Sequence, residues 1–223
     1  MDSADHRQPL LVTMYEQYVV DQQSPEFIRR VTGRYTIATL QRLVRVGDRM
    51  TRRGAVLALG LLADYESNHV IGSALADEDR GVRTLAENAI RAVWHRAGNE
   101  HQRDQLKLVL QLISSHQYLD AVQRATHLIE QAPWFAEVWN QRAIACYQLA
   151  RYSESIRDCH QTLEINPYHF AAAAGMGQCY LKLNEPVAAL ECFRRALRLN
   201  PNLEGVRTQV VYLQRSLKED GSA

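Results

Sequence analysis

The residues of this 223-residue chain that are able to do chemistry are numerous but are not grouped for it. Eight histidines, His6, His69, His95, His101, His116, His127, His160 and His169, are scattered from end to end. All four cysteines, Cys146, Cys159, Cys179 and Cys192, fall in the C-terminal half, and no two form a Cys-x-x-Cys pair. A structural zinc site needs four such ligands, usually as closely spaced pairs, so no metal and no other cofactor is expected. The cysteines read instead as small buried hydrophobes on helices. There is no glycine-rich phosphate loop, nucleophile elbow or His-Glu-x-x-His pair, and the pattern predicts a protein that is not an enzyme.

Charge offers a second chemistry. Residues 29–53 hold Arg29, Arg30, Arg34, Arg42, Arg45, Arg49, Arg52 and Arg53 against one acidic residue, Asp48. Guanidinium suits phosphate, which makes nucleic acid or an anionic surface a candidate partner, with Arg29, Arg30, Arg34, Arg42 and Arg45 as the contact patch. Two observations weigh against it. The arginines are spread over several helices and need not share a face, and the whole chain balances 26 Lys+Arg with 25 Asp+Glu, so no global field steers a polyanion. Residues 1–9 are polar, and no apolar run long enough for a signal sequence or membrane span follows them, which predicts a cytoplasmic protein without a membrane partner.

The elements that position these residues are set by a repeat. Pro133, Pro167 and Pro201 are spaced by 34 residues, and each follows an apolar helical segment. Proline disfavours helical geometry in the residue before it, so each marks a helix stop. The same offset aligns Tyr118 with Tyr152 and Pro186, Ala121 with Ser155 and Ala189, Leu128 with Thr162 and Ala196, and Val109 with Ala143 and Gly177. Small residues recur where helices cross, while the Leu112, Cys146, Tyr180 and Ala125, Cys159, Phe193 columns fill the space between. A two-helix unit that stacks on its copies to bury a face it cannot bury alone explains this pattern. Trp94, Trp134 and Trp139 read as interior or interface anchors.

Trp139, Ala143, Tyr152, Ser155, Thr162 and Pro167 in one unit, and Met176, Gly177, Tyr180, Ala189, Phe193, Ala196 and Pro201 in the next, resemble the tetratricopeptide repeat family. The resemblance implies an all-α, right-handed superhelix with units at 102–135, 136–169 and 170–203 and a capping helix at 204–217, and the polar end of the chain, 218–223, is expected to be a disordered tail. Arg142 stands where the family carries a leucine. The resemblance also implies a scaffold or adaptor that holds a protein or peptide on a concave face lined by each unit's first helix. Its contacts there are Asn140, Ile144, Tyr147, Gln148, Gln178, Leu181 and Lys182. Some members grip acidic chaperone tails through Lys, Arg and Asn; the matching places hold Leu106, Leu110, Gln141, Ala171 and Gly175, which carry no charge.

Residues 1–100 have a shorter echo. Asp48-Arg-Met-Thr-Arg52 and Asp79-Arg-Gly-Val-Arg83 recur 31 residues apart, with Ala55/Ala86, Ala58/Ala89, Leu59/Ile90 and Leu62/Val93 in step. This resembles a pair of HEAT-like repeats, in which the aspartate caps a helix and an arginine reaches a neighbouring repeat. Upstream, Leu10–Asp21 and Pro25–Gly47 predict two or three helices, with a start at Ser24-Pro25-Glu26 and an interruption at Gly33. Gly98-Asn99 separates this half from the 34-residue repeats, and without a long linker the halves are expected to stack as one array.

Overall fold

The structure, a computed structural model, describes residues 9–220. Residues 1–8 and 221–223, which include most of the polar segment at 1–9 and the end of the expected tail, lie outside the described residues. The chain is all-helical: α1 (Leu10–Asp21), α2 (Ser24–Thr32), α3 (Ile37–Val46), α4 (Arg49–Leu62), α5 (Asn68–Ala74), α6 (Arg80–Arg96), α7 (Glu100–Ser114), α8 (Tyr118–Gln131), α9 (Ala136–Gln148), α10 (Tyr152–Ile165), α11 (Phe170–Lys182), α12 (Pro186–Leu199) and α13 (Glu204–Asp220). It divides into two compact units between Val93 and Trp94, inside α6. The expected boundary lay near residue 100. It falls earlier because the Trp94 ring stacks on His169 at 4.1 Å and packs on Phe170 at 5.4 Å, so the last turn of α6 belongs to the core of the second unit.

In the first unit, α2 stops at Thr32, just before Gly33, and α3 packs on α4. Asp48 caps α4 by accepting the Thr51 N–H at 2.8 Å, and Asp79 caps α6 by accepting the Val82 N–H at 2.9 Å. The echo continues in the arginines. Arg52 donates to the Gly47 carbonyl and Arg83 to the Glu78 carbonyl, each reaching back five residues. Arg52 also forks onto Asp77 and Arg53 onto Asp79, tying the loop before α6 to α4. Gly60 lets α4 and α6 touch, since a Cβ there would lie 2.7 Å from that of Ala89.

The second unit is a linear stack in which each helix from α7 to α13 packs on the next, with further contacts between α7 and α9 and between α9 and α11. Asn99 opens it with a reciprocal capping box to Gln102. α8, α10 and α12 begin at Tyr118, Tyr152 and Pro186, one repeat period apart, and each ends just before the proline column. His116, Ala150 and Asn184 take left-handed φ values of 58° to 59°, and Gln117, Arg151 and Glu185 each send an N–H back to the carbonyl five residues earlier. This is the same helix-ending motif three times over.

At the crossings, Val109, Ala143 and Gly177 are all buried, and so are their counterparts Ala125, Cys159 and Phe193. Side-chain size is traded between the two columns: Val with Ala, Ala with Cys, Gly with Phe. A Cβ on Gly177 would come within 2.5 Å of the Phe193 ring.

Two expectations are corrected. α13 continues to Asp220 instead of ending at 217, because Leu217, Lys218 and Glu219 all favour helix and no glycine intervenes before residue 221. Trp134 is no interior anchor: it is 51% exposed and stacks flat on Phe135 in the turn before α9.

Candidate partner-binding face

Asn140, Ile144 and Tyr147 follow one another at helical spacing along α9, and Ala171, Gly175 and Gln178 do the same along α11. The two stripes face each other across a cavity of about 200 Å³ that is closed at its base by Ala143 and, from α10, by Ser155 and Cys159. The cavity exists because Ala171 and Gly175 are small; a Cβ on Gly175 would meet only the Cys159 Sγ, at an ordinary 3.6 Å. Its volume is that of about seven waters. That is room for one or two side chains and less than a drug-sized ligand needs.

Four of the expected contacts therefore converge on one site: Asn140, Ile144, Tyr147 and Gln178. Ile144 is 37% exposed, and Tyr147 is braced edge-on by Tyr152 with ring centroids 5.6 Å apart. Asn140 gives its amide hydrogen to Glu137 at 3.2 Å, which leaves Oδ1 without a partner among the described residues, and Gln178 makes no hydrogen bond there at all. Gln148 and Lys182 are exposed and extend the two stripes by one turn beyond the cavity. Leu181 turns away and packs against the cluster of Ala189, Leu190, Phe193, Val210 and Leu213 beneath α13.

The thiols serve packing. Cys179 donates to Ser155 Oγ, which itself donates to the Ala143 carbonyl at 2.8 Å. Burial pushes the Cys159 and Cys179 thiols up, and that of Cys146 to about 11, so none is a thiolate at neutral pH. Among the described residues no group of three or more His, Cys, Asp or Glu is placed to hold a metal ion. No helix among them is long and apolar enough to cross a membrane.

Behind the cavity lies a cluster that sequence reasoning missed. Glu137 is buried and accepts from Asn140 Nδ2, from Gln141 Nε2 at 2.6 Å and from His169 Nε2 at 3.0 Å, with His95 Nε2 at 3.5 Å. His169 Nδ1 accepts the Ala172 N–H and so caps α11, which assigns the ring proton to Nε2. Burial alone would raise the Glu137 carboxyl, but the hydrogen bonds from His169 and His95 outweigh it and hold the group well below the usual carboxylate range. The signal available was a histidine in the otherwise apolar column Phe135, His169, Leu203.

The arginine segment is divided. Arg52 and Arg53 are committed to Asp77, Glu78 and Asp79, and Arg29 is held bidentately by Glu26, an exposed pair worth little in water. Arg30 in α2, Arg34 in the loop after it, and Arg42 and Arg45 in α3 have no ion-pair partner among the described residues.

Paired helices, a proline-closed period and a small-residue crossing are now in place. Residues 171–203 match the family model of the tetratricopeptide repeat. The chain is 26% identical over 58% of its length to a TPR repeat-containing protein of Rhizobium etli, of which it covers 64%. It is 27% identical over 49% of its length to Hsp70-Hsp90 organizing protein 1 of Glycine max, of which it covers 20%. It thus spans under two thirds of either relative. The solved first TPR of Spaghetti (RPAP3), bound to an HSP90 peptide, superimposes with a TM-score of 0.51 at 18% identity over 52% of this chain and 93% of that one, a likeness of fold.

Proposed function

We propose that the chain is a protein-interaction scaffold or adaptor that holds a partner's peptide or helix on the concave face of α9 and α11. The carrying observation is the convergence of Asn140, Ile144, Tyr147 and Gln178 on a single cavity whose lining keeps amide groups without a partner among the described residues. An apolar side chain of the partner fills the cavity, and Asn140 Oδ1 and the Gln178 amide take up its backbone hydrogen bonds. Gln148 and Lys182 extend the contact, with Lys182 available to a carboxylate. The comparisons support such a role through a relative named as a chaperone organizer and a fold neighbour that binds an HSP90 peptide. The partner read here differs from an acidic chaperone tail. Leu106, Leu110, Ala171 and Gly175 offer no cation, and Gln141 is spent on Glu137. The setting is the cytoplasm, where four free cysteines stay reduced.

The test is capture from a lysate on the immobilised chain, at low and high salt, beside an Asn140→Ala/Tyr147→Ala/Gln178→Ala variant with an unchanged circular dichroism spectrum. A protein held by the parent at both salts and lost by the variant is the expected result. Equal retention by the folded variant removes the cavity from the function.

A second reading keeps the first unit as HEAT-like, supported by the matched Asp48 and Asp79 caps, and assigns Arg30, Arg34, Arg42 and Arg45 to an anionic partner because their charges are unpaired. Nucleic acid recovered only at low salt, and equally by both proteins, selects it.

A further inference from the structure

On the other side of α11 from the partner-binding cavity lies a second cavity, of about 330 Å³, lined by His160 of α10, Ala173, Met176 and Tyr180 of α11, and Ala188, Glu191, Cys192, Arg195 and Arg198 of α12. Its origin is visible one repeat earlier. There Trp139 donates its indole N–H to the Pro133 carbonyl, and the Arg142 guanidinium lies over the ring, 4.9 Å from its centroid. Arg142 in turn forks onto Asp158 at 2.7 and 2.8 Å and bonds Thr126 at 3.0 Å. An aromatic ring, a guanidinium and a carboxylate thus occupy that place.

Moving by one period of 34 residues, Trp139 becomes Ala173, Arg142 becomes Met176, Asp158 becomes Cys192 and Thr126 becomes His160. All four replacements line the second cavity. The indole has become a methyl group and the Asp158 carboxylate a thiol, so the ring and the anion of those two positions are gone, while Tyr180 and Glu191 line other parts of the groove. The Arg142 cation is lost to Met176, and positive charge enters instead at Arg195 and Arg198, where the earlier repeat carries Gln161 and Glu164; neither makes an ion pair or hydrogen bond among the described residues.

We infer that this groove binds an aromatic residue flanked by acidic residues on a partner peptide. The aromatic ring fills the space over Ala173 and Met176, and the carboxylates pair with Arg195 and Arg198. The ring and carboxylates of the peptide complete, around Arg195 and Arg198, an arrangement of ring, guanidinium and carboxylate like the one that the preceding repeat builds from its own side chains. The site is separate from the partner-binding cavity, because α11 turns Ala171, Gly175 and Gln178 to one side and Ala173, Met176 and Tyr180 to the other.

The experiment uses the full chain labelled at its four methionine methyl groups, of which Met176 alone lines the groove, titrated with Ac-Glu-Trp-Glu-NH2. A saturable shift confined to the Met176 signal is expected. Affinity should drop roughly tenfold or more in Arg195→Ala/Arg198→Ala and for Ac-Glu-Ala-Glu-NH2 or Ac-Lys-Trp-Lys-NH2. Ala173→Trp, which restores the indole, should block binding; if that variant does not fold, the surface arginine variant still decides. No saturable shift in the parent overturns the proposal, as does equal affinity of the folded arginine variant, the alanine peptide or the basic peptide.

Discussion

Glu137 keeps its charge in the interior because donors from α6, α9 and the turn before α11 meet it. Replacing it by alanine strands those donors and should cost about 3 kcal/mol, read by urea unfolding. The pH dependence has a definite sign. With the folded carboxyl below its ordinary value of about 4.3, the stabilisation is complete at neutral pH and fades as pH falls from there toward the folded value. Between pH 7 and pH 3 the parent should therefore lose more stability than Glu137→Gln, measured side by side. Gly175 makes the opposite kind of prediction. Its Cβ space is open, and glycine inside a helix costs about 0.5–1 kcal/mol relative to alanine, so Gly175→Ala should raise stability by about that much. The same methyl group narrows the cavity, so the more stable variant should release its partner faster, a separation that melting and dissociation measurements detect.

For helix pairs the governing quantity is size shared across a crossing. Gly177 can be nothing larger while Phe193 faces it, and Gly177→Ala should destabilise by about 1–3 kcal/mol through overpacking. The preceding repeat shows the remedy, with Ala143 and Cys159 buried in one cluster. Gly177→Ala/Phe193→Cys copies that pair and should recover part of the loss, which a double-mutant cycle reports as a coupling of the two sites. The helix ends have their own lever. Ala150 sits at φ 58°, where an L side chain costs roughly 1 kcal/mol, and Ala150→Gly should return about that amount in thermal unfolding.

In the molecule as a whole, a stack of nearest-neighbour contacts is only as protected as its ends. α13 covers Ala189, Leu190 and Phe193 with Val210 and Leu213. Deleting residues 204–220 should lower the stability of the second unit by roughly 3 kcal/mol or more, the burial worth of two such side chains. It should also promote self-association, visible by gel filtration. An unchanged melting profile and elution volume would show that the stack does not depend on its last helix.

The helical class, the 34-residue period, the helix stops at Pro133, Pro167 and Pro201 and the aspartate caps of α4 and α6 were legible in the sequence, because these rest on local chemistry: proline geometry, free helix-end amides and repeated side-chain size. The sequence also placed Asn140, Ile144, Tyr147 and Gln178 on facing helices through the family resemblance. Folding alone settles that these four share a cavity while Leu181 is spent under α13, and that Asp77, Glu78 and Asp79 take Arg52 and Arg53. Those outcomes depend on which groups meet across elements 25 or more residues apart, such as Arg52 with Asp77 or His169 with Glu137, and no local preference in the chain encodes such meetings.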